Sequence, residues 1–477
     1  MNSLVLLLSL LSLGSPLAQA SWQKLLGEFE KENLNLRLAN YQIELSEIEA
    51  KQADLLYRTS LTGGVSRVDR NLEILNVFAP TRTITNTTTL GVARPLIWGG
   101  NFTVQNEWIN YDLSNWEARF RGARGETVSD NQIAIGYSQN LGRDLFGRIS
   151  RANLYAAHLN FEVTKLEQLN QSEQQYFEFF KNWIMGRLAK TLQASQKKAL
   201  SRAQRRLSLI NKRVKDGLNL KVDLWQARIE YNTQNENYLG QTEKLKSTLL
   251  DLSRNIHRTV DDDEISPYSV EVADFAIPAI DTTKNRNLLA IQGRQKLLNE
   301  REKVANLSIG PEIIFSGEYR SNAIEGTFGS AFSDSLPGSD NHQKTIALSV
   351  SMPFDFTSEE LELSKNRTQK LINSAQLRTT ELNLQATRLR LGQRMELLVK
   401  NLESTKKKRK YALNALYELN RLFGLGKVDL DRVIRAEEQL LQTERSFFQF
   451  YSDFLVLKAQ AKLISGSLIK FLKSYEV

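Results

Sequence analysis

The side chains best suited to chemistry are sparse and scattered in this chain. Its three histidines, His158, His257 and His342, stand far apart, and none has a second histidine at the i+4 spacing that lets one helix face hold a metal. There is no cysteine, so disulfides and thiolate chemistry do not enter. No G-x-S-x-G elbow, phosphate-cradling P-loop or H-E-x-x-H zinc helix occurs. The acidic run Asp261-Asp262-Asp263-Glu264 has charge enough for calcium but lacks EF-hand spacing, and reads as a solvated linker. Carboxylates are plentiful, as in any helical protein, and no pair stands out as an acid–base dyad. No catalytic, cofactor or metal residue is assigned, and the expectation is a protein that is not an enzyme.

Charge and glycine do recur with purpose around two turns. The first reads Arg213-Val-Lys-Asp-Gly217-Leu-Asn219-Leu-Lys-Val-Asp223-Leu, and the second reads Arg421-Leu-Phe-Gly424-Leu-Gly426-Lys427-Val-Asp429-Leu. Glycine tolerates the left-handed dihedrals that end a helix, so each turn should reverse one helix into another. Arg213, Asp216, Asp223 and Arg228 could pair between neighbouring coils and hold a bundle shut. Ordinary capping and i,i+4 pairing is the alternative.

These turns sit inside a duplication. Residues 131–239 and 343–448 each read as a short alternating strand, a very long helix, a glycine turn and a returning helix. A repeat this long is a duplicated structural half rather than a solenoid. The domain expectation is a signal peptide at 1–20, a first repeat at 21–257, a linker at 258–283 and a second repeat at 284–477. The first repeat comprises a helix over 21–57, strands over about 58–141 and a helical hairpin over 143–257. The second comprises a helix over about 284–307, strands over about 308–354 and a hairpin over 357–473. A short strand is expected around Val270–Val272, and polar loops over 114–130 and 321–342. In the first helix Leu34, Leu38, Tyr41, Leu45, Ile48 and Leu55 make the apolar stripe. The long helix before Gly217 would extend roughly 105 Å, and must pack along its length as in a coiled coil or helical barrel.

The leader has an apolar core at 4–13 and an A-x-A site at Ala18-Gln19-Ala20, although Met1-Asn2-Ser3 carries no lysine or arginine. No later apolar run is long enough for a transmembrane helix. The net charge of +9 and the cluster Lys406-Lys407-Lys408-Arg409-Lys410 would suit nucleic acid in isolation, but export argues against it. A solvated helix face is the plainer reading, and a lumen-facing ring favouring anions the other.

The strands alternate as a membrane barrel requires. Ile346, Leu348, Val350, Met352 and Phe354 share one face, with Thr345, Ala347, Ser349 and Ser351 opposite. Phe102, Val104 and Trp108 oppose Thr103, Gln105 and Glu107, and Ile309, Pro311, Ile313, Phe315 and Tyr319 form a third apolar series. The second half offers two strands and the first two to four. Open edges do not survive in lipid, and about eight strands is the smallest natural closed membrane barrel. Several copies sharing one barrel would resolve this. A half-buried soluble sheet would show the same alternation.

On the duplicated strand–helix–helix plan and the Arg-x-x-x-Gly … Val-Asp-Leu turn, the chain resembles TolC-type outer-membrane efflux and secretion channels over about residues 21–473. The implied fold is mainly α with membrane β: duplicated strand–helix halves, a trimeric outer-membrane β-barrel continued by a long periplasmic α-helical barrel. The resemblance implies a homotrimer, four strands per copy in a 12-stranded barrel, and an equatorial region near Asp261–Pro278. It also implies an exit duct in outer-membrane lipid, reaching into the periplasm and passively conducting substrates for a tripartite efflux pump or a type I secretion system. Partners would be a periplasmic adaptor and an inner-membrane pump of RND or ABC type, without cofactor or nucleic acid. Arg213, Gly217, Asn219, Asp223, Arg421, Gly424, Gly426, Lys427 and Asp429 would form the periplasmic tips that dock the adaptor. The chain departs from the family in a hairpin, 87–97 and 101–112 around Trp98–Asn101, that either adds barrel strands or folds outside the barrel. It also lacks a recognisable acidic gate, the charged run before the second tip being basic. A structural exported coiled-coil protein of the envelope is the alternative, and a small-solute porin has no need of such helices.

Overall fold

The computed structural model describes residues 16–71, 82–114, 125–268, 275–338 and 340–475. Most of the expected leader, the strand around Val270–Val272 and residues 115–124 of the expected 114–130 loop lie outside the described residues. The helices are α1 (Pro16–Glu32), α2 (Leu34–Leu55), α3 (Arg148–Lys215), α4 (Lys221–Ile256), α5 (Arg286–Ser308), α6 (Phe328–Asp334), α7 (Thr357–Gly424), α8 (Leu430–Ile464) and α9 (Leu468–Lys473). The strands are β1 (Ser60–Asn71), β2 (Arg82–Leu96), β3 (Gly100–Asp112), β4 (Thr127–Asn140), β5 (Glu312–Glu325) and β6 (His342–Ser351). The duplication is plain: strand, 68-residue helix, glycine turn and returning helix occur twice. Two compact units result. One holds the chain up to Ile43, Lys165–Ala290 and the chain from Leu377, and the other holds Glu44–Thr164 and Ile291–Gln376.

The sheet unit carries all six strands in the order β1-β2-β3-β4-β5-β6, every neighbouring pair antiparallel. Register settles its faces. Val92 opposes Leu61 and Val104, Val104 opposes Ile135, Ile135 opposes Tyr319, and Phe315 opposes Leu348. One face is therefore apolar across all six strands. The other carries Thr87, Thr89, Gln105, Glu107, Gln132, Glu318, Arg320 and Thr345. The expected hairpin is real, longer than 87–112 at its start, and integral to the sheet. Strand β5 continues to Glu325 and α6 follows, where a loop over 321–342 was expected; pairing with β4 satisfies the backbone of this polar stretch. At that end the apolar face turns polar, and α6 covers it. Asn131, fully buried, donates to Ser335 Oγ at 2.6 Å, and Trp108 packs on Phe328 with ring centroids 4.3 Å apart.

The helical unit has an aromatic centre. Trp22 stacks among Phe179, Phe180 and Trp183, with the Trp183 ring 4.5 Å away, and its indole N–H donates to the Leu472 carbonyl at 3.1 Å. Burying three indole and phenyl rings on one helix supplies several kcal/mol of hydrophobic stabilisation, on the order of 2–3 each. The expected single helix over 21–57 is two, because the Asn33 side chain accepts from Leu36 N at 3.1 Å and caps α2. The burial of α2 is also inverted. Leu36 and the small residues Ala39, Ser46 and Ala50 face inward, whereas the stripe of Leu34, Leu38, Tyr41, Leu45, Ile48 and Leu55 is exposed, Tyr41 and Leu45 at 57% each. The second hairpin also ends in two helices, since Gly466 in the left-handed region stops α8 before α9.

In the connector Asp261, Asp262 and Asp263 are exposed, as expected of a solvated run, while the residues around them are held by side-chain contacts. Asp262–Glu264 form a 3-10 turn, and Glu264 accepts two hydrogen bonds of 2.7 Å from Arg258, which also donates to Glu28. Arg187 lies between the rings of Trp183 and Tyr268, 5.0 and 4.5 Å from their centroids. The Arg258 hydrogen bonds hold the Glu264 carboxyl down from 4.5 to about 2. A folded-state value below the unfolded one contributes stability above pH about 4.5, lost as pH falls towards about 2. Glu264→Gln is expected to lower stability by about 2 kcal/mol at pH 7 after allowing for solvent screening. Urea midpoints of the two proteins should converge as the pH is lowered through that window; a gap independent of pH would show that the carboxylate is not the source.

Candidate functional site

The two glycine turns lie together in the helical unit. Both end their helices by the same hydrogen bonds. Leu218 N donates to Arg213 O at 2.7 Å and Gly217 N to Val214 O at 3.2 Å; Lys427 N donates to Leu422 O and Gly426 N to Phe423 O, each at 3.0 Å. This is the Schellman arrangement, which needs a left-handed residue, and Gly217 (φ 74°) and Gly426 (φ 72°) supply it. Gly426 is thus the counterpart of Gly217, and Gly424 is the last residue of α7.

The Val-Asp-Leu triplets look equivalent in sequence and are not equivalent in structure. Asp223 sits one turn inside α4, where its carboxylate accepts from Leu220 N at 3.1 Å and from Asn219 Nδ2 at 3.0 Å. Asp429 is the N-cap residue of α8 and makes no side-chain cap bond. The loops from Gly217 to α4 and from Gly426 to α8 are equal in length, but Asp223 follows its glycine by six residues and Asp429 by three, which places the second aspartate one turn further out.

Arg213 binds the turns to each other. Its guanidinium donates to Phe423 O at 3.2 Å and Gly424 O at 2.7 Å, and stands 5.5 Å from the Phe423 ring. These are carbonyls that the end of α7 leaves free, so one side chain caps the opposite helix. Among the described residues no ion pair joins Arg213, Asp216, Asp223 and Arg228; Asp216 and Arg228 are exposed. Arg421 turns away to Glu418, and Lys427 is exposed. Arg213, Asn219, Asp223, Leu425 and Asp429 line a pocket of about 390 Å³. Around it Leu218, Leu220, Val222 and Leu425 are all more than half exposed, an apolar rim that carboxylate-and-glycine reasoning passes over.

Beneath the tips lies a buried ionic cluster that the sequence reading missed. Glu437 of α8 is fully buried and accepts from Arg202 at 3.0 Å and Arg206 at 3.1 Å; Arg206 also reaches Glu230 of α4 at 3.4 Å. Burial pushes the Glu230 carboxyl upward, against the opposing pull of Gln234 and Arg206. Arg409 is the one inward-facing member of the basic run and pairs with Glu444 at 3.0 Å, while Lys406, Lys407, Lys408 and Lys410 are exposed. The available signal was the placement of Glu230 and Glu437 about two to three turns into both returning helices, opposite Arg202 and Arg206.

The histidines remain apart. His158 meets Asp54 at 3.2 Å, His257 ends α4 in the left-handed region, and His342 stacks on Tyr319. Among the described residues no group of three metal-ligating side chains converges. No helix of the described residues is long and apolar enough to cross a membrane.

Two substitutions probe this geometry. Glu437→Ala would take a fully buried carboxylate from the buried Arg206, which keeps only Glu230, and from the part-buried Arg202, with an expected loss of about 3 kcal/mol in urea unfolding; an unchanged midpoint would mean the cluster is solvated. Arg213→Ala removes both bonds to the α7 end, a local loss of roughly 1–3 kcal/mol. Trypsin should then nick near Lys427 sooner than in the parent, with the global unfolding midpoint little moved.

No family model matches the sequence, and no curated protein matches it. Solved structures do match its fold. VceC, an outer membrane protein of Vibrio cholerae, is 14% identical with a TM-score of 0.63, covering 95% of this chain and 96% of its own. The Campylobacter jejuni CmeC outer membrane channel is 12% identical with a TM-score of 0.64, over 95% of this chain and 89% of its own. The Neisseria gonorrhoeae MtrE outer membrane channel, in an open state, is 16% identical with a TM-score of 0.59, over 95% and 88%. The chain has the fold of these outer-membrane proteins along nearly its whole length.

Proposed function

We propose that this protein is an outer-membrane exit duct, a homotrimer that passively conducts substrates outward for a tripartite efflux pump or a type I secretion system. The observation that carries the reading is the sheet: one face apolar across six strands, the other polar, and both edge strands exposed along their length. A soluble sheet buries its apolar face; a barrel wall presents it to lipid and its polar face to a water-filled lumen. The exposed apolar stripe of α2 supports a second copy as its cover, since a face of this kind is otherwise left in water. The repeats at 21–257 and 284–477 would each contribute strands to the membrane and a helical hairpin to the periplasm, with 258–283 as the equatorial linker. Export by the leader at 1–20 agrees with this.

The tips are the docking place. Gly217, Asn219, Gly424, Gly426 and Lys427 present turns with an apolar rim, and Arg213, Asp223, Arg421 and Asp429 complete them. The partner is a periplasmic adaptor, which in turn joins an inner-membrane pump of RND or ABC type. Energy comes from that pump, and the duct performs no chemistry.

A photocrosslinker placed at Asn219, and separately at Lys427, in living cells tests this. Capture of a periplasmic adaptor at both turns is the expected result. Crosslinks to peptidoglycan-associated proteins alone would replace the duct with a structural tether.

A further inference from the structure

Resting on the outer-membrane reading, we infer that each copy contributes six strands to the shared wall, so that three copies close a barrel of 18 strands instead of the 12 that four strands per copy would make. The additional two are the hairpin β2–β3, and four observations place it in the wall.

First, the hairpin cannot be subtracted. Among the described residues the only partner of β1 is β2, and β4 pairs with β3 and β5, so β1 and β4 are not neighbours. A four-stranded sheet is not a subset of this one; lifting β2–β3 out would strand β1 with both edges open, which lipid does not tolerate. Second, the pairing is full length, from Ser60–Ala93 to Asn71–Arg82 on one side and from Gly100–Gln139 to Asp112–Thr127 on the other. Third, the hairpin is in phase with its neighbours. Leu90, Val92, Phe102 and Val104 fall on the apolar face with Ile133 and Ile135, while Thr87, Thr89, Gln105 and Glu107 fall on the polar face with Gln132 and Ala134. A hairpin folded away from the wall would have no use for an apolar face in register with it.

Fourth, its turn is clamped to the foot of the long helix α3. Asn140 N donates to Gly99 O at 3.0 Å, and Gln139 Nε2 donates to Trp98 O at 2.9 Å. A β-carbon on Gly147, which has φ 72°, would stand 1.9 Å from Ile97 O; one on Gly99, with φ 79°, would stand 2.4 Å from Asp144 O. Both glycines permit an approach that no side chain would allow, so the strand-to-helix junction is built around the hairpin.

Closure follows by parity. Six successive antiparallel strands leave β1 and β6 antiparallel to each other, so β6 of one copy and β1 of the next continue the pattern. Leu61 and Val65 on β1 share the apolar face with Ile346, Leu348 and Val350 on β6, which makes that face continuous across the joint. Barrel diameter grows roughly linearly with strand number, so the wall would be about one and a half times as wide as a 12-stranded one. At 16–18 strands a barrel encloses an open aqueous channel, and Thr87, Thr89, Gln105 and Glu107 would line the added arc. The outer mouth is then wider than the family plan implies, and size selection falls to the helical part of the duct.

Electron cryo-microscopy of the purified full-length protein in detergent, with native mass spectrometry on the same sample, decides this. Three copies around an 18-stranded wall containing β2 and β3 is the expected result. A 12-stranded trimeric wall with β2–β3 outside it would overturn the inference while leaving the duct reading intact; a two-copy, 12-stranded barrel that includes them would overturn the inference and, with it, the homotrimer of the duct reading. A sheet that closes no barrel would overturn both. An 18-stranded wall without adaptor capture in the crosslinking experiment would sustain this inference and remove the duct reading.

Discussion

In the outer-membrane reading, the outer edges of β1 and β6, which pair with no further strand among the described residues, are the constraint from which the rest of the structure follows. In lipid every peptide N–H and C=O must find a partner within the protein, and six strands are too few to curl round and meet. The sheet is therefore incomplete as a single chain, in a way that one apolar and one polar face make specific. What completes it must be antiparallel to both edges and share the same alternation. A second copy of this chain has both properties.

The helical unit meets a different demand. Helices of 68 residues cannot rest on propensity and have to find neighbours along their length. Where aromatic bulk is available, around Trp22 and Trp183, packing does this. Nearer the tips the core thins to Ile210, Leu416, Phe423, Leu430 and Val433, and Arg202, Arg206, Glu230 and Glu437 join three helices by charge instead. A buried cluster of this kind adds little net stability over apolar residues of similar volume. It does penalise any register that leaves a charge unpaired, and long parallel ridges are open to such slips. Arg213 acts likewise at the end of the bundle: by taking the free carbonyls of α7 it fixes one turn against the other.

The α2 stripe shows why amphipathicity alone misleads in an assembly. Leu34, Leu38, Tyr41, Leu45, Ile48 and Leu55 have the spacing of an inward face, yet the chain packs α2 through Leu36, Ala39, Ser46 and Ala50 and leaves that stripe exposed. The buried positions let α2 pack within the chain, and in the proposed homotrimer the exposed stripe is what a second copy would cover. Hydrophobic periodicity reports that a face will be buried, not by which molecule.

The sequence by itself determined the elements and their repetition. Period-two and period-3.6 patterns, the glycine turns and the alternation of Ile346–Val350 depend only on local geometry, and they were legible at once, as was the resemblance built on them. The buried cluster was not legible, because Arg202 and Glu437 lie in different halves of the chain and nothing local marks them as partners. Nor was the break at Asn33, where one side-chain cap outweighed a continuous helical pattern, or the inequivalence of Asp223 and Asp429, which turns on Gly426 rather than Gly424 being the left-handed residue and so on their six- and three-residue distances from the capping glycine. Only the tertiary structure decided whether β2–β3 belongs to the sheet. Strand order is a matter of which backbone groups meet, and residue type at one strand carries no record of its neighbour's identity.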